Sequence, residues 1–255
     1  MPPIDAGQSS DDAFLGGRLR LLQPFGGYRA GSDAVLLAAA VSARPGERLL
    51  DAGAGVGAVA LALARRLDEV VVDALELQPE LVALAAENAR RNGLADRVSC
   101  HAGDLAAPPA ALAGRLYDRV VTNPPYHDRA TTRPAPDAGR ALARSEGALS
   151  IADWIEHCLR RLKSGGSLTL IQRADRLGEV LSALAPNAGE QVVFPLWPAA
   201  GEPARRLIVR ARKGSAAPLT LRPGLVLHEA DGRYTAAAEA VLRHGRALAL
   251  DGAGA

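Results

Sequence analysis

The sequence is short of cysteine and of lysine, carries little net charge and has no long apolar run. Cys100 and Cys158 are the only cysteines in 255 residues. Their spacing suits no metal, so the expectation is two inert, small apolar side chains in a reducing compartment. Lys163 and Lys213 are the only lysines, so almost every positive charge is an arginine, whose planar fork pairs with phosphate through two parallel hydrogen bonds. No apolar stretch approaches the ~18 residues needed to span a bilayer. The opening residues Met1-Pro2-Pro3-Ile4-Asp5 show no basic segment followed by an apolar one, so no secretory leader is expected and the expected location is cytoplasmic. A net charge of +2 is too small to announce a nucleic-acid binder by bulk charge.

What is present supports one large domain. The chain is 48% hydrophobic, ample for a core. Its arginines cluster: Arg205, Arg206, Arg210 and Arg212 lie in one short stretch, and Arg129, Arg133, Arg140 and Arg144 in another, the second opposed by Asp137 alone. The first group reads as an RNA contact or, since the alternating ones share one face of a strand, as edge-strand charge. The second reads equally as a solvated loop or as an RNA contact.

Residues 1–12 are polar and small, which suggests a loose terminus, and 14–24 suggest a short strand or hairpin. After a flexible Gly26–Gly31 turn, Ser32 or Asp33 is placed to cap an apolar helix. From residue 48 the pattern alternates. Strands are expected at 48–51, 70–76, 98–102, 117–122, 167–172, 192–196 and 207–211. Helices are expected at 57–67, from Pro79 to the Asn92-Gly93 stop, from Ser150 to Gly165-Gly166, and from an Asp175 cap to about Leu184. Such alternation implies a doubly wound, mostly parallel α/β sheet with helices on both faces. The organisation expected is an N-terminal segment over 1–45, a main domain over 46–214 and a C-terminal extension over 215–255, packed on the domain, with a strand at Leu225-Val226-Leu227 and a helix at Tyr234–Leu242.

Three signals mark a site. Asp51-Ala52-Gly53-Ala54-Gly55-Val56-Gly57 turns a first strand into a helix, where glycines admit close approach of a ligand and a helix start presents free N–H groups. Gly53-x-Gly55-x-x-Ala58 also fits a dinucleotide fingerprint. Against that, Asp51 at the first strand's end, Glu76 at the second and Asp104 beyond the third would gather three acids around one crevice. Pyrophosphate is repelled there, whereas a sulfonium with an ammonium is attracted. Glu76 is placed to accept from both ribose hydroxyls, with Asp73 a competitor for the role, and Asp104 to accept from an adenine amine. The third signal is Asn123-Pro124-Pro125-Tyr126 after the fourth strand. Two prolines end the sheet ladder and fix a rigid turn. The turn sets an amide oxygen on Asn123, the Pro124 carbonyl and the Tyr126 ring at one strand end, a grip for a planar amine about to be alkylated.

With these residues placed, the chain resembles the class I S-adenosylmethionine-dependent methyltransferases, and more narrowly the bacterial tRNA (adenine-N6)-methyltransferase family that acts on valine tRNA. The resemblance is carried by Gly27-Tyr28-Arg29-Ala30-Gly31-Ser32-Asp33, the glycine loop, Glu76, Gly103-Asp104, the Asn-Pro-Pro-Tyr turn, Ala143-Arg144-Ser145-Glu146 and Tyr234-Thr235. It implies a Rossmann-like, seven-stranded sheet with the last strand antiparallel. It also implies S-adenosylmethionine as cofactor, held by Gly31, Asp33, Asp51, Gly53, Gly55, Gly57, Glu76, Asp104 and Asn123, with S-adenosylhomocysteine as product. The catalytic residues it implies are Asn123, Pro124 and Tyr126; no metal is called for. Where the family commonly continues with another aromatic, this chain has His127-Asp128-Arg129. His127, Arg129 and Arg144 are the candidate substrate contacts, the partner is tRNA or another structured RNA, and a monomer is expected. The competing expectations are a protein-glutamine N-methyltransferase, an NAD-binding oxidoreductase and a cofactor-binding module without catalysis.

Overall fold

The computed structural model describes residues 9–26, 29–124 and 149–250. The N-terminal hairpin pairs β1 (Ser9–Phe14) with β2 (Leu19–Pro24) in antiparallel register, Asp12 opposite Leu21. Residues 9–12, expected to be loose, are therefore a strand. The reason lies in the partner: Leu19 and Leu21 are fully buried on one face of β2, and β1 completes that strand's ladder.

The main sheet runs β5 (Val98–Ala102), β4 (Val71–Glu76), β3 (Arg48–Ala52), β6 (Tyr117–Thr122), β7 (Leu162–Arg173), β9 (Arg206–Lys213) and β8 (Ala188–Ala199). Of these seven only β9, the last in chain order, is antiparallel to its neighbours. Two short strands, β10 (Thr220–Leu221) and β11 (Leu225–His228), join β8 in parallel and bring the sheet to nine. The expected count of seven is thus exceeded because residues 220–228 continue the ladder along β8. The arginine-bearing strand β9 lies between β7 and β8, so it is an interior strand and not the edge strand that its charge suggested.

Helices cover both faces. One carries α1 (Ser32–Ala39), α2 (Ala58–Arg66), α3 (Pro79–Arg91) and α6 (Ala236–Leu242), over a core that includes Leu49, Val72, Val121, Ile171 and Ile208. The other carries α4 (Ile151–Arg160) and α5 (Leu177–Leu184), over Leu50, Leu75, Val120, Leu168, Leu170 and Val209. Adjacent strand residues point to opposite faces, which is why Leu49 and Leu50 belong to different cores.

Several helix ends differ from expectation. The N-cap of α1 is Gly31, with no side-chain cap; the Asp33 carboxylate instead pairs with Arg206. A 3₁₀ turn at Ala174–Arg176 precedes α5, and Asp175 is bonded to Arg173 rather than to the helix start. Helix α4 stops at Arg160, and Gly165-Gly166 lie within β7. The Ser150–Asp153 capping box does form, with Asp153 N donating to Ser150 Oγ at 3.1 Å.

The hairpin is tied to α3 by amides. Asn88, fully buried, accepts from Leu22 N at 2.7 Å and donates to Leu22 O and Val56 O, each at 3.0 Å. One turn later Asn92 makes the same reciprocal pair with Arg20. Two asparagines four apart on one helix face thus pair β2 where no strand does.

Candidate active site

Strands β3, β4, β5 and β6 are parallel, so their C-terminal ends share one edge of the sheet, where ligands sit in open α/β folds. Register aligns Ala52 with Leu75 on one side and with Thr122 on the other, and Glu76 with Ala102. The glycine loop, Glu76, Asp104 and Asn123 follow directly from these ends and converge there.

The loop owes its shape to backbone geometry that glycine permits: Gly53, Gly55 and Gly57 have φ of +76, +55 and +84°. Gly53 N and Ala54 N both donate to Leu75 O, at 2.9 and 3.0 Å, folding the loop across the neighbouring strand. Gly55 N donates to Glu76 Oε2 at 2.9 Å, and Gln78 N donates to Glu76 Oε1 at 3.0 Å. A Cβ added at Gly55 would meet no atom within 4 Å, so that side of the loop is open.

Asp51 is not exposed to the crevice. It is 1% exposed, and its Oδ2 accepts from Ala60 N at 2.9 Å. The N-cap of α2 is Gly57, which has no side chain to cap with; Asp51 reaches across from β3 and satisfies the third N–H of the helix instead. The carboxylate expected to point into the crevice is thus buried, with one oxygen held by this orphan donor. Burial pushes Asp51 up to about 7; the Ala60 hydrogen bond opposes that shift and the charge of Glu76 adds to it.

Asp104 is exposed, with Oδ1 accepting from Ala106 N at 2.8 Å, and Gly103 N donates to Glu76 O at 2.9 Å, which sets the two acids side by side. Asp73 cannot compete with Glu76. It points to the opposite sheet face, where Arg115 and His101 bond it at 2.9 and 3.0 Å. Burial raises its pKa, but the hydrogen bonds of Arg115 and His101 outweigh that and hold it below the ordinary value. Leu77, immediately after Glu76, is 66% exposed. Sequence reasoning passed over it; an apolar side chain directly after the acid at a strand end was the available signal.

Asn123 is half-buried and Pro124 buried at the end of β6. Thr122 just before them donates to Ala52 O at 2.7 Å and accepts from Trp154 Nε1 at 2.9 Å. Gly31 caps α1, and Asp33 is 14% exposed by side chain against Arg206. Tyr126, His127, Arg129 and Arg144 lie outside the described residues. So do Gly27 and Tyr28 of the leader. Among the described residues no three His, Cys, Asp or Glu side chains form a group that could hold a metal ion, and no helix is long and apolar enough to cross a membrane.

The model of the methyltransferase small domain family matches residues 25–184. The chain belongs to that family. It is an S-adenosylmethionine-dependent methyltransferase of class I architecture. A protein of Tolumonas auensis named tRNA1(Val) (adenine(37)-N6)-methyltransferase is 32% identical over 219 residues, covering 81% of this chain and 85% of that one. A protein of Aeromonas hydrophila with the same name is 31% identical over 209 residues, with the same coverage. The crystal structure of a predicted O-methyltransferase from Agrobacterium tumefaciens, protein Atu636, superimposes with a TM-score of 0.69 at 29% identity, over 84% of this chain and 97% of that one. The methyltransferase small domain membership removes the oxidoreductase alternative.

Proposed function

We propose that this methyltransferase transfers the methyl group of S-adenosylmethionine to the N6 amine of an adenine in tRNA. The observation that carries the proposal is the pairing of β3 with β6, which seats the glycine loop next to Asn123. The names of the relatives in Tolumonas and Aeromonas support the substrate class.

The residues present fit the cofactor. An ionised carboxylate has about four acceptor positions. Glu76 uses two of them on Gly55 N and Gln78 N, leaving the others for the two ribose hydroxyls. Asp104, exposed next to Glu76, is assigned to the adenine amine, and exposed Leu77 to the flat ring. The open side of Gly55 admits close approach of the carboxypropyl arm. When bound, S-adenosylmethionine supplies an electrophilic methyl carbon on a sulfonium.

The adenine amine is a poor nucleophile because its lone pair is shared with the ring. Asn123 Oδ1 and the Pro124 carbonyl accept its two N–H bonds, which returns electron density to nitrogen and fixes its line of approach. That is chiefly an orientation effect. Tyr126 stacks on the base, worth ~1–3 kcal/mol, enough to hold an extruded nucleotide. The proton leaves to water after transfer. Arg129, Arg144 and His127 are the proposed RNA contacts.

The deciding experiment supplies labelled S-adenosylmethionine with total bacterial tRNA or with a bacterial protein extract, then digests labelled RNA to nucleosides. N6-methyladenosine is the expected product. Label confined to protein would move the substrate to a glutamine side chain, and a 2′-O-methyl nucleoside would align this chain with the name of the Agrobacterium protein.

A further inference from the structure

Trp154 joins the two halves of the site. Its Nε1 donates to Thr122 Oγ1 at 2.9 Å, and Thr122 Oγ1 donates onward to Ala52 O at 2.7 Å. Thr122 is the residue before Asn123, and Ala52 is the residue before Gly53. The edge of the same indole covers Gly53: a Cβ there would lie 3.0 Å from Cζ2 and 3.2 Å from Cη2 of Trp154. One side chain therefore touches the cofactor loop through its carbon edge and the amine-holding strand end through its nitrogen. Thr122 is fully buried, so its hydroxyl has no solvent alternative, and its one proton is committed to Ala52 while its lone pair receives the indole. Nothing in ordinary core packing requires this arrangement. A phenyl ring is smaller and carries no N–H, so it would lose both the hydrogen bond to Thr122 and the carbon edge over Gly53, and helix α4 is already anchored at its start by the Ser150–Asp153 box.

We propose that Trp154 is a positioning residue, which sets the distance between the cofactor loop at Gly53 and the amine-binding end of β6 at Asn123. The proposal rests on the methyl-transfer reading of the site. The contacts of Trp154 on the site side are with Thr122 and Gly53, and it acts through them. A misplacement of about 1 Å between reacting groups costs up to ~10²-fold in rate, so loss of this tie shows in turnover before it shows in binding.

The test compares Trp154→Phe, Thr122→Val and the double variant. Each single variant is expected to lower kcat about tenfold while S-adenosylhomocysteine affinity, by calorimetry, stays within about twofold. The double variant is expected to be no slower than the slower single one, because both remove one shared link. Single variants that keep kcat within twofold of wild type overturn the proposal, as does a double variant slowed by the product of the two single effects. A second readout needs no turnover. With Trp197 replaced by Phe, Trp154 is the sole indole, and its emission is expected to change on titration with S-adenosylhomocysteine; an unchanged spectrum also overturns the coupling. Failure of the wild-type protein to methylate any RNA would count against the substrate reading, and the emission titration would still decide the role of Trp154.

Discussion

Glu76 holds the glycine loop through Gly55: the carboxylate oxygen Oε2 accepts from Gly55 N at 2.9 Å. The same side chain that is placed to bind ribose therefore also fixes the backbone that a cofactor would lie against. Both tasks need an acceptor at Oε2, and an amide nitrogen in that position would meet the Gly55 N–H donor to donor.

Glu76→Gln is expected to weaken S-adenosylmethionine binding about 10- to 100-fold, the span of one lost charge-assisted hydrogen bond of ~1.5–3 kcal/mol. Calorimetry on the purified variant measures it. A dissociation constant within twofold of wild type would remove Glu76 from the cofactor site.

Asn123→Ala separates chemistry from binding. The variant loses the amide that accepts from the substrate amine while the glycine loop and Glu76 are untouched. Turnover is expected to fall by about 10²-fold or more, with S-adenosylmethionine affinity within about twofold. Retained turnover in the labelled-methyl assay would contradict the role given to Asn123.

Much of this was legible in the sequence, because the signals were local. Short apolar runs located β3 and β4, the first ending in a glycine turn, and Asn123-Pro124 marked the end of β6 because proline cannot continue a ladder. What escaped depends on distant partners. Asp51 looked like a ligand acid because only the folded loop brings the end of β3 under the start of α2, where its carboxylate meets Ala60 N nine residues on. Trp154 lies 32 residues from Thr122, and only the fold brings them together. Strand β9 looked like an edge because alternating arginines suit an edge; the pairing that buries it between β7 and β8 is not written in its own residues.

Asp51 also makes stability depend on pH. Its folded-state value is raised to about 7 from an ordinary 3.8, chiefly by burial. Below about pH 4 the group is protonated folded or unfolded and contributes no difference. Between these values the folded state holds a proton that the unfolded state has released, so stability falls as pH rises, and the full penalty applies above about 7. Asp51→Asn removes this titration and keeps an acceptor for Ala60 N. Relative to wild type the variant is expected to gain stability steadily from pH 4 to 7, followed by urea denaturation across that range. A stability difference that stays constant with pH would show that Asp51 is ionised throughout.

Asn88 should matter more than Asn92 although both pair the same strand. Asn88 is fully buried, so Asn88→Leu strands Leu22 N, Leu22 O and Val56 O away from water. At about 1 kcal/mol for each deprived group the loss is roughly 3 kcal/mol. Arg20 is exposed, so water replaces the amide of Asn92→Leu and the loss is expected below about 1 kcal/mol. Urea midpoints with an unchanged slope measure both. The Val56 carbonyl belongs to the glycine loop, so Asn88→Leu is also expected to weaken S-adenosylhomocysteine binding while Asn92→Leu leaves it alone. Equal stability losses in the two variants would mean that the hairpin is held by its leucines, Leu19 and Leu21, and not by the amide ladder from α3.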